Sequence, residues 1–370
     1  MLQTGDKKLS YADVSISPAI VTTINSRSEC SPFLSDGFLP LFTAPMSTVV
    51  SGDNYSLFES NRIHAILPRN LELGKRVEEC IKNNKWVAFS LKEFESLFIN
   101  TQLSFNIANV LIDMANGHLQ RLYDLVSEAK LKYQNKIKIM VGNVANPETY
   151  RIAYASGVDY IRVSVGTGCG CITQSNTGIG YPIASLIAEM YQIKKELHSE
   201  SNGLAWKDMP QIVADGGIRN YSDIIKALAL GADYVMIGSV FSKMLESAAP
   251  LIRSEYPWKN CKEIDDFDND ISKIERRDGK FWYKDKEIVL YKLFYGMASK
   301  LGQNDLGVDK KTAEGVEKEL KVEYTIAGWT ENFMDYLKSA MSYCNTRTLD
   351  LFAQAQVIPI TQNTSLSINK

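Results

Sequence analysis

Eight short apolar segments, each followed by a segment with helical spacing, constrain the fold of this chain more than any other feature. The strand-like segments are residues 39–43, 63–67, 86–91, 110–113, 136–141, 160–165, 211–214 and 234–238. Between them lie apolar residues at helical spacing, for example Leu122, Leu125, Ala129 and Leu131, or Ile224, Ala227 and Leu228. Eight such units predict an α/β protein folded as a (β/α)8 TIM barrel, although the pattern alone also fits an open doubly wound sheet.

The same pattern indicates how the chain is divided. We expect residues 1–360 to form a single barrel domain, because no pair of small inserted domains interrupts the units. A surface insert is predicted near residues 250–290. Residues 300–314 are polar and contain glycine, which favours a mobile active-site loop. Residues 361–370 are predicted to be a disordered tail.

The insert and the end of the chain allow three local predictions. Residues 263–270 are acidic, but Ile271 stands where an EF-hand loop needs glycine, so a solvated loop is favoured over a calcium site. Asp278 and Gly279 lie between alternating stretches and predict a β-hairpin. The final helix is predicted to begin near Thr330. Its buried residues, spaced four apart, are expected to be Phe333, Leu337 and Met341.

Polar residues and glycines cluster where the predicted strands end. They are Asp113, Asn116 and Gly117 after strand four, Asn143 after strand five, Asp215, Gly216 and Gly217 after strand seven, and Gly238 and Ser239 after strand eight. In a barrel these ends meet on one face, which is the catalytic face and binds phosphate after strands seven and eight. Turn chemistry explains any one of these residues alone, but with the glycine-rich loop after strand six there are five such loops, which it explains poorly.

The sixth strand leads into a glycine-rich loop that contains two cysteines. Residues 166–171 read Gly-Thr-Gly-Cys-Gly-Cys, and the glycines allow backbone groups to face a ligand. A thiol at the tip of such a loop favours Cys171 as a nucleophile, with the Thr173 hydroxyl close by. A buried, inert cysteine is the alternative. A structural metal site is disfavoured because the sequence has no second Cys/His pair at ligand spacing.

Composition excludes several classes of function. The 370 residues carry a formal net charge of −2, so the chain has no electrostatic footprint for nucleic acid or an anionic membrane. With 45% hydrophobic residues it can bury a large core, yet no window approaches the length of a membrane span. Six scattered cysteines do not read as a disulfide framework, and the first residues lack a signal-peptide pattern. A cytoplasmic protein is expected.

Together these motifs resemble the inosine monophosphate (IMP) dehydrogenase/GMP reductase family. Residues 166–173 resemble the family's cysteine loop, and residues 214–217 and 237–239 resemble its phosphate loops. The resemblance runs from about residue 9 to residue 352. The segments closest to the reductase branch are residues 25–29, 113–117, 177–182 and 292–299. In addition, residues 300–313 lack the Arg-Tyr pair with which the dehydrogenases activate water.

The resemblance implies NADPH-dependent reductive deamination of GMP to IMP and ammonia. Cys171 would attack C2 of the guanine ring to form a covalent adduct. Expulsion of ammonia requires a proton, and Thr173 and Glu314 correspond to the family's relay that supplies it. Without the resemblance, Glu314 would be interpreted as a solvated loop carboxylate.

The resemblance also implies binding roles. The residues expected to bind substrate are Asp215, Gly216, Gly217, Gly238, Ser239, Tyr295, Gly296, Met297 and Ser299. Those expected on the nicotinamide side are Asp113, Asn116, Gly117, Asn143 and Arg69, although a surface arginine is an equal interpretation of Arg69. Backbone carbonyls of Gly166, Gly168 and Cys171 correspond to a monovalent-cation site, with potassium as the candidate ion. A cytoplasmic homotetramer that binds a purine nucleotide is the implied assembly.

Several departures and rival interpretations stay open. Cys169 stands where the family has a phosphate-binding serine, Ser47 where it has an aspartate, and Lys311 where the reductases have an arginine. These changes leave room for a variant purine nucleotide as substrate. An IMP dehydrogenase is the nearest alternative, a flavin-dependent barrel oxidase is a second, and a non-catalytic nucleotide-binding relative is a third.

Overall fold

The eight predicted strands form a parallel barrel. The computed structural model describes residues 7–167, 173–201, 203–254, 262–263, 271–283, 285–296, 299–307, 312, 315–361 and 364–365. The barrel strands are β1 (Leu41–Thr43), β2 (Ile66–Leu67), β3 (Trp86–Phe89), β4 (Ala108–Asp113), β5 (Ile137–Val144), β6 (Tyr160–Val163), β7 (Gln211–Asp215) and β8 (Tyr234–Ile237). Each pairs in parallel with the next from β2 onward, β8 pairs with β1, and a bridge between Phe42 and His64 joins β1 to the entry of β2. The predicted fold class is confirmed.

Helices follow the strands and cover the outside of the barrel. The main ones are α1 (Tyr55–Ser60), α2 (Leu73–Ile81), α3 (Leu91–Phe94, continued by the π-turn Glu95–Ile99), α4 (Gln120–Tyr133), α5 (Thr149–Ala155), α6 (Ile183–Glu200), α7 (Tyr221–Ala229) and α8 (Ile326–Tyr343). Short α-helical segments occur at Thr173–Thr177, Ser239–Ser242, Lys300–Asp305 and Leu349–Phe352. Single 3-10 turns are found at Tyr11–Asp13, Arg27–Glu29, Gln134–Lys136, Trp206–Asp208 and Ile271–Lys273.

The interior of the barrel is stacked in layers, because alternate residues of each strand point inward. Aromatic rings fill the amino-terminal end, where Phe42 and Trp86 meet Tyr160 edge to face and Phe42 packs on Tyr234. The middle layer is aliphatic and includes Leu111, Met140, Val213 and Met236. Two residues further along β4 and β7 the inward positions become Asp113 and Asp215, and on β6 the inward residue after Tyr160 is Arg162. The polar layer therefore lies at the carboxyl ends of the strands.

Outward strand residues pack under the helices in a second, larger core. In α4 the buried residues are Leu122, Tyr123, Leu125, Val126, Ala129 and Tyr133. Leu131, which the helical spacing places on the buried face, is 82% exposed, so that part of the prediction is wrong. Residue 131 lies two positions after Ala129, which turns it about 200° around the helix and away from the strands.

The end of the barrel departs from the predicted boundaries. Helix α8 begins four residues earlier than expected, at Ile326, because the Thr325 hydroxyl accepts a hydrogen bond from Gly328 N and caps the helix there. The predicted buried residues of this helix, Phe333, Leu337 and Met341, are all fully buried. Residues 300–305, predicted to be loop, form a helix capped by Ser299. The mobility of the 300–314 segment stays a prediction.

The insert forms a separate antiparallel sheet beside the barrel. Its strands are β9 (Leu251–Ser254), β10 (Lys262–Glu263), β11 (Glu275–Arg277), β12 (Lys280–Tyr283), β13 (Lys286–Tyr295) and β14 (Glu317–Lys321). The order is β10-β9-β13-β12-β11, and β14 also pairs with β13. The predicted hairpin is confirmed, since Arg277 pairs with Lys280 around Asp278 and Gly279, both at positive φ. Most of the acidic stretch, residues 264–270, lies outside the described residues.

A strand from the first part of the described chain pairs with one from the last part. A strand at Val14–Ile16 pairs antiparallel with Val357–Pro359. Ser365 N donates to Thr361 O, the Thr361 and Thr364 hydroxyls lie 2.9 Å apart, and Ser365 is buried. Disorder of residues 361–370 and the division into domains stay predictions. Among the described residues, no helix is both long enough and apolar enough to cross a membrane.

Candidate active site

A buried arginine organises the polar layer at the carboxyl ends of the strands. Arg162 Nη2 of β6 donates to Asp113 Oδ1 of β4 at 2.7 Å and also to Asn143 Oδ1 of β5. Its Nε lies 3.4 Å from Asp215 Oδ2 of β7, and Asn143 Nδ2 donates to that same oxygen at 2.7 Å. Three predicted site residues, Asp113, Asn143 and Asp215, are thus brought into one cluster by Arg162.

Burial decides the electrostatics of this cluster. Asp113 and Arg162 are 8% and 5% exposed, so both charges are held away from water and must be compensated by each other. Burial raises the pKa of Asp215, while the Arg162 guanidinium and the Asn143 amide oppose that rise by stabilising the carboxylate. One cation therefore serves two carboxylates. Asp215 keeps a second carboxylate oxygen that can accept hydroxyl groups.

The loop after β4 is pressed against the end of β5. Gly117 N donates to Asn143 O at 2.8 Å, and Asn143 N donates to Met114 O at 2.8 Å. A Cβ on Gly117 would lie 2.7 Å from Asn143 O, so only glycine allows this approach. Asn116 is exposed, and its Oδ1 accepts a bond from His118 N. Arg69, after β2, reaches this region with a long 3.4 Å bond from Nη1 to Asp113 O.

The ends of the predicted cysteine loop lie close together. Gly166 has a φ of +81°, and a Cβ there would lie 2.5 Å from Gln174 Cβ and 3.1 Å from Gln174 N. Ser164, at a φ of +135°, precedes the loop and bonds to Thr167 through its hydroxyl. The helix Thr173–Thr177 therefore folds back against the exit of β6. The segment between these ends begins and finishes at the carboxyl end of β6.

The predicted phosphate loops lie at the ends of β7 and β8. Gly216 and Gly217 take positive φ values of 94° and 73°, which turn the chain directly after Asp215. Gly238 precedes the short helix Ser239–Ser242 and packs against Met46, whose Sδ lies 3.1 Å from the position of a Cβ on Gly238. Ser239 is half-buried. These are the positions at which a barrel binds phosphate.

The strand β13 adds a further hydroxyl and an acidic partner. Asp305 Oδ2 accepts bonds from Tyr295 OH at 2.8 Å and from Ser47 Oγ at 3.0 Å. Ser299 is fully buried, and its hydroxyl caps the Lys300–Asp305 helix by accepting from Gly302 N. A Cβ on Gly296 would meet nothing within 4 Å, so this position is open.

Six residues of the sequence interpretation lie outside the described residues. They are Gly168, Cys169, Cys171, Met297, Lys311 and Glu314. The nucleophile, the acid of the relay and part of the cation site therefore stay predictions. Thr173 begins the short helix at the exit of the loop.

The donor set fits a polar organic ligand. The Nε–H groups of Arg69 and Arg162 are buried and have no hydrogen-bond partner among the described residues. Arg162 Nε faces Asp215 at 3.4 Å, and Arg69 lies beside Asp113, so both donors border the polar layer. Buried donors without a hydrogen bond suit the amide and hydroxyl oxygens of a nucleotide or a nicotinamide nucleoside. No group of three or more His, Cys, Asp or Glu residues arranged for a metal occurs in the part of the chain that the structure describes.

Comparison with known proteins identifies the family. A sequence model of the IMP dehydrogenase / GMP reductase domain matches residues 98–367, which is more than half of the chain. The chain belongs to the IMP dehydrogenase/GMP reductase family. This is a family of oxidoreductases that act on purine nucleotides. The resemblance stated from the sequence motifs is therefore confirmed.

Curated relatives match almost the whole chain. GMP reductase from Clostridium acetobutylicum is 29% identical over 354 residues, which cover 92% of each protein. Human GMP reductase 2 is 26% identical over 380 residues, covering 96% of this chain and 95% of the human protein. The inosine-5′-monophosphate dehydrogenase of Chlorobaculum tepidum is 31% identical over 241 residues, covering 65% of this chain but 42% of that protein.

Arg162 is the most central of three site residues that the sequence analysis missed. It lies within residues 160–165, which were interpreted by their apolar character alone. A signal was present, however. A charged residue inside a parallel barrel strand is buried on both faces and must find an opposite charge, and the available carboxylates stood at the ends of neighbouring strands. His118 and Asp305 were missed as well, because their partners lie on other elements.

Proposed function

We propose that this family member is a GMP reductase that converts GMP to IMP and ammonia with NADPH. The observation that carries the proposal is the extent of the match: the GMP reductases align over 92% or more of both proteins, whereas the dehydrogenase aligns over less than half of its own length. The absence of an Arg-Tyr pair in residues 300–313 of the sequence agrees with it.

The residues of the polar layer have natural roles in this reaction. Asp215, held by Asn143 and approached by Arg162, accepts the ribose hydroxyls of the nucleotide. The turns at Gly217 and at Gly238–Ser239 offer backbone and hydroxyl donors to the 5′-phosphate. Asn143 and Asp113 lie on the same layer, where they can orient the nicotinamide relative to the purine.

The chemistry divides into a deamination and a reduction. The Cys171 thiolate adds to C2 of the purine, and the C2–N bond breaks as Thr173 and Glu314 deliver the proton that lets ammonia leave. When bound, reduced nicotinamide supplies a hydride to C2. The C2–S bond then breaks, which releases IMP and restores the thiolate. The protein holds the three participants in line and excludes water that would otherwise hydrolyse the adduct.

Four finer assignments belong to the same proposal. NADPH is preferred over NADH, and a potassium ion bound by the carbonyls of Gly166, Gly168 and Cys171 orders the cysteine loop. The protein is a cytoplasmic homotetramer. Three of these assignments have a direct measurement on the purified protein: initial rates with the two cofactors, rates with and without potassium at constant ionic strength, and mass in solution by light scattering.

The absorbance of reduced nicotinamide tests the reaction directly. With GMP and NADPH the absorbance should fall, and with IMP and NAD it should stay constant. Cys171→Ala should abolish turnover and keep nucleotide binding, while the control Cys344→Ala, on a half-buried thiol at the end of α8, should leave the rate unchanged. Near-normal turnover in Cys171→Ala would falsify the covalent mechanism.

The same assay covers the second candidate, an IMP dehydrogenase. The higher identity of the dehydrogenase over its shorter match favours that reaction. An absorbance rise with IMP and NAD, and no fall with GMP and NADPH, would establish it.

A further inference from the structure

The ring of His118 joins the loop after β4 to the loop after β5. Although His118 is exposed overall, both ring nitrogens contact protein groups. Nε2 accepts a hydrogen bond from Ala145 N at 3.0 Å, and Nδ1 lies 3.2 Å from Thr149 Oγ1 at the start of α5. Both ends of this bridge lie close to residues that have a role in the proposed function. His118 directly follows Asn116 and Gly117, and Ala145 lies two residues after Asn143.

The bridge requires one protonation state of the ring. A main-chain N–H can only donate, so the nitrogen facing Ala145 must carry a lone pair. The proton of the neutral imidazole is then on Nδ1, where it points to the Thr149 hydroxyl. A doubly protonated ring would set an N–H against the Ala145 N–H and break the bond. The arrangement therefore selects the neutral Nδ1–H tautomer.

Other contacts turn this bridge into a support for the site. Tyr123 OH, from α4, donates to Gly117 O at 2.8 Å, and Gly117 N donates to Asn143 O. The loop is thus held from α4 on one side and from β5 on the other. Without the His118–Ala145 bond, the main-chain hydrogen bonds that join this loop to Asn143 among the described residues are those of Gly117 N and Met114 O.

We propose that His118 is a positioning residue whose neutral ring fixes the two loops that orient the nicotinamide. It acts through Gly117 and Asn143 rather than on the reacting atoms. The identity of the ligand rests on the proposed function; the bridge itself does not.

The bridge makes the loops sensitive to acid. Partial burial lowers the pKa of His118, in accord with a site that favours the neutral ring. Because the pKa in the folded state is the lower one, the bridge is complete above the ordinary imidazole value of about 6.5 and is lost as the pH falls through the lowered pKa of the folded state. The neighbouring charges are engaged elsewhere: Asp113 with Arg162, Arg121 with Glu95, and Glu148 with Arg151. Asp124 of α4 accepts a bond from Gln120.

Two variants separate the hydrogen bond from the shape of the ring. His118→Gln keeps an acceptor that can reach Ala145 N, whereas His118→Phe keeps a ring without an acceptor. The control is His198→Gln, in the last turn of α6, where the imidazole meets the edge of Trp206. Hydrogen exchange of the Ala145 amide, corrected for the intrinsic effect of pH, is measured for each protein at about pH 8 and about pH 5.

The wild type should protect the Ala145 amide at the higher pH and lose about tenfold of that protection at the lower one. His118→Gln should protect it at both, and His118→Phe at neither. In direct titration at the higher pH, the Kd of NADPH should rise about five- to tenfold in His118→Phe and stay within about twofold in His118→Gln. The Kd of the nucleotide should stay within about twofold in both variants.

Amide exchange and the assays of turnover and NADPH binding distinguish a failure of this inference from a failure of the proposed function. The role of His118 is overturned, whatever the activity, by either of two results. One is an Ala145 amide that exchanges in His118→Phe as it does in the wild type. The other is a His118→Gln variant in which the Ala145 amide still loses its protection at the lower pH. If His118→Phe does not fold, the pH response of the wild type and of His118→Gln still decides. A wild type that shows the exchange pattern but neither turns over nor binds NADPH overturns the proposed function and leaves the bridge intact.

Discussion

Arg162 Nη2 lies 2.7 Å from Asp113 Oδ1, and this ion pair is buried at the carboxyl ends of β4 and β6. The same guanidinium contacts Asn143 and approaches Asp215, so four strands contribute to one network. In the barrel interior this network lies directly above the aliphatic layer that includes Leu111, Val213 and Met236. At this level of the barrel, charged side chains occupy inward positions that are apolar in the layer below. As a result, two carboxylates are held at fixed positions in the candidate site.

Removal of this cation should be costly for stability. Arg162→Met leaves Asp113 and Asp215 without a buried counter-ion, and we expect the free energy of unfolding to fall by about 3–5 kcal/mol. The control is Arg151→Met, whose exposed ion pairs with Glu148 and Glu196 should contribute less than about 1 kcal/mol. Urea unfolding measures both. Equal effects of the two substitutions would contradict a buried network.

The close approach of Gly117 to β5 should not tolerate a methyl group. In Gly117→Ala the new Cβ meets the main-chain oxygen of Asn143 at 2.7 Å, so the backbone must move by several tenths of an ångström. We expect a loss of about 1–3 kcal/mol in stability together with weaker NADPH binding. The control is Gly52→Ala, where a Cβ meets only the Lys75 Nζ, at 3.9 Å. Thermal unfolding and cofactor titration provide the measurements, and similar behaviour of the two variants would be evidence against the tight packing.

The barrel was predictable because its signal is local. Buried strands between amphipathic helices repeat eight times, and each repeat can be recognised without knowing its neighbours. Boundaries were less accurate where a single polar side chain decides them, as Thr325 does by capping α8. Leu131 was misplaced because helical spacing identifies a face only to within one or two positions.

The candidate site was predictable in position but not in connectivity. The ends of the strands indicated where Asp113, Asn143 and Asp215 lie, since parallel strands bring their carboxyl ends together. That they share one arginine depends on which residues of β6 face inward, and this follows from the stagger of the barrel rather than from the sequence of one strand. The bridge from His118 to Ala145 likewise joins two loops that the pattern treats separately.

The hydrogen bond between Ser47 and Asp305 leads to a prediction about position 47, where this chain has serine and the family has aspartate. Its carboxylate bonds to the Ser47 hydroxyl, at the position where the family resemblance leads one to expect an aspartate. Ser47→Asp places two carboxylates about 3 Å apart and should destabilise the protein by up to about 1 kcal/mol, since Asp305 is exposed.

A charge exchange tests this relationship. The double variant Ser47→Asp/Asp305→Ser restores one carboxylate and one hydroxyl and should recover most of the loss. A double-mutant cycle on the free energy of unfolding should give a coupling of about 0.5–1 kcal/mol. Additive single effects would show that the two side chains do not interact in solution.

Asp215 should give nucleotide binding an acid limb at an unusually high pH. Burial raises the pKa of Asp215, and only its ionised form accepts hydrogen bonds from both ribose hydroxyls. Binding is therefore complete above the raised pKa and weakens as the pH falls through it, at a pH above the value of about 3.9 for an ordinary aspartate. In Arg162→Lys the ammonium replaces the planar guanidinium and stabilises the carboxylate less well, so the limb should move to still higher pH.

Titration of GMP against pH, with Asp215→Asn as reference, separates this limb from that of the ligand phosphate, because the phosphate limb is common to both proteins. Identical profiles for wild type and Asp215→Asn would exclude Asp215 as the ribose acceptor.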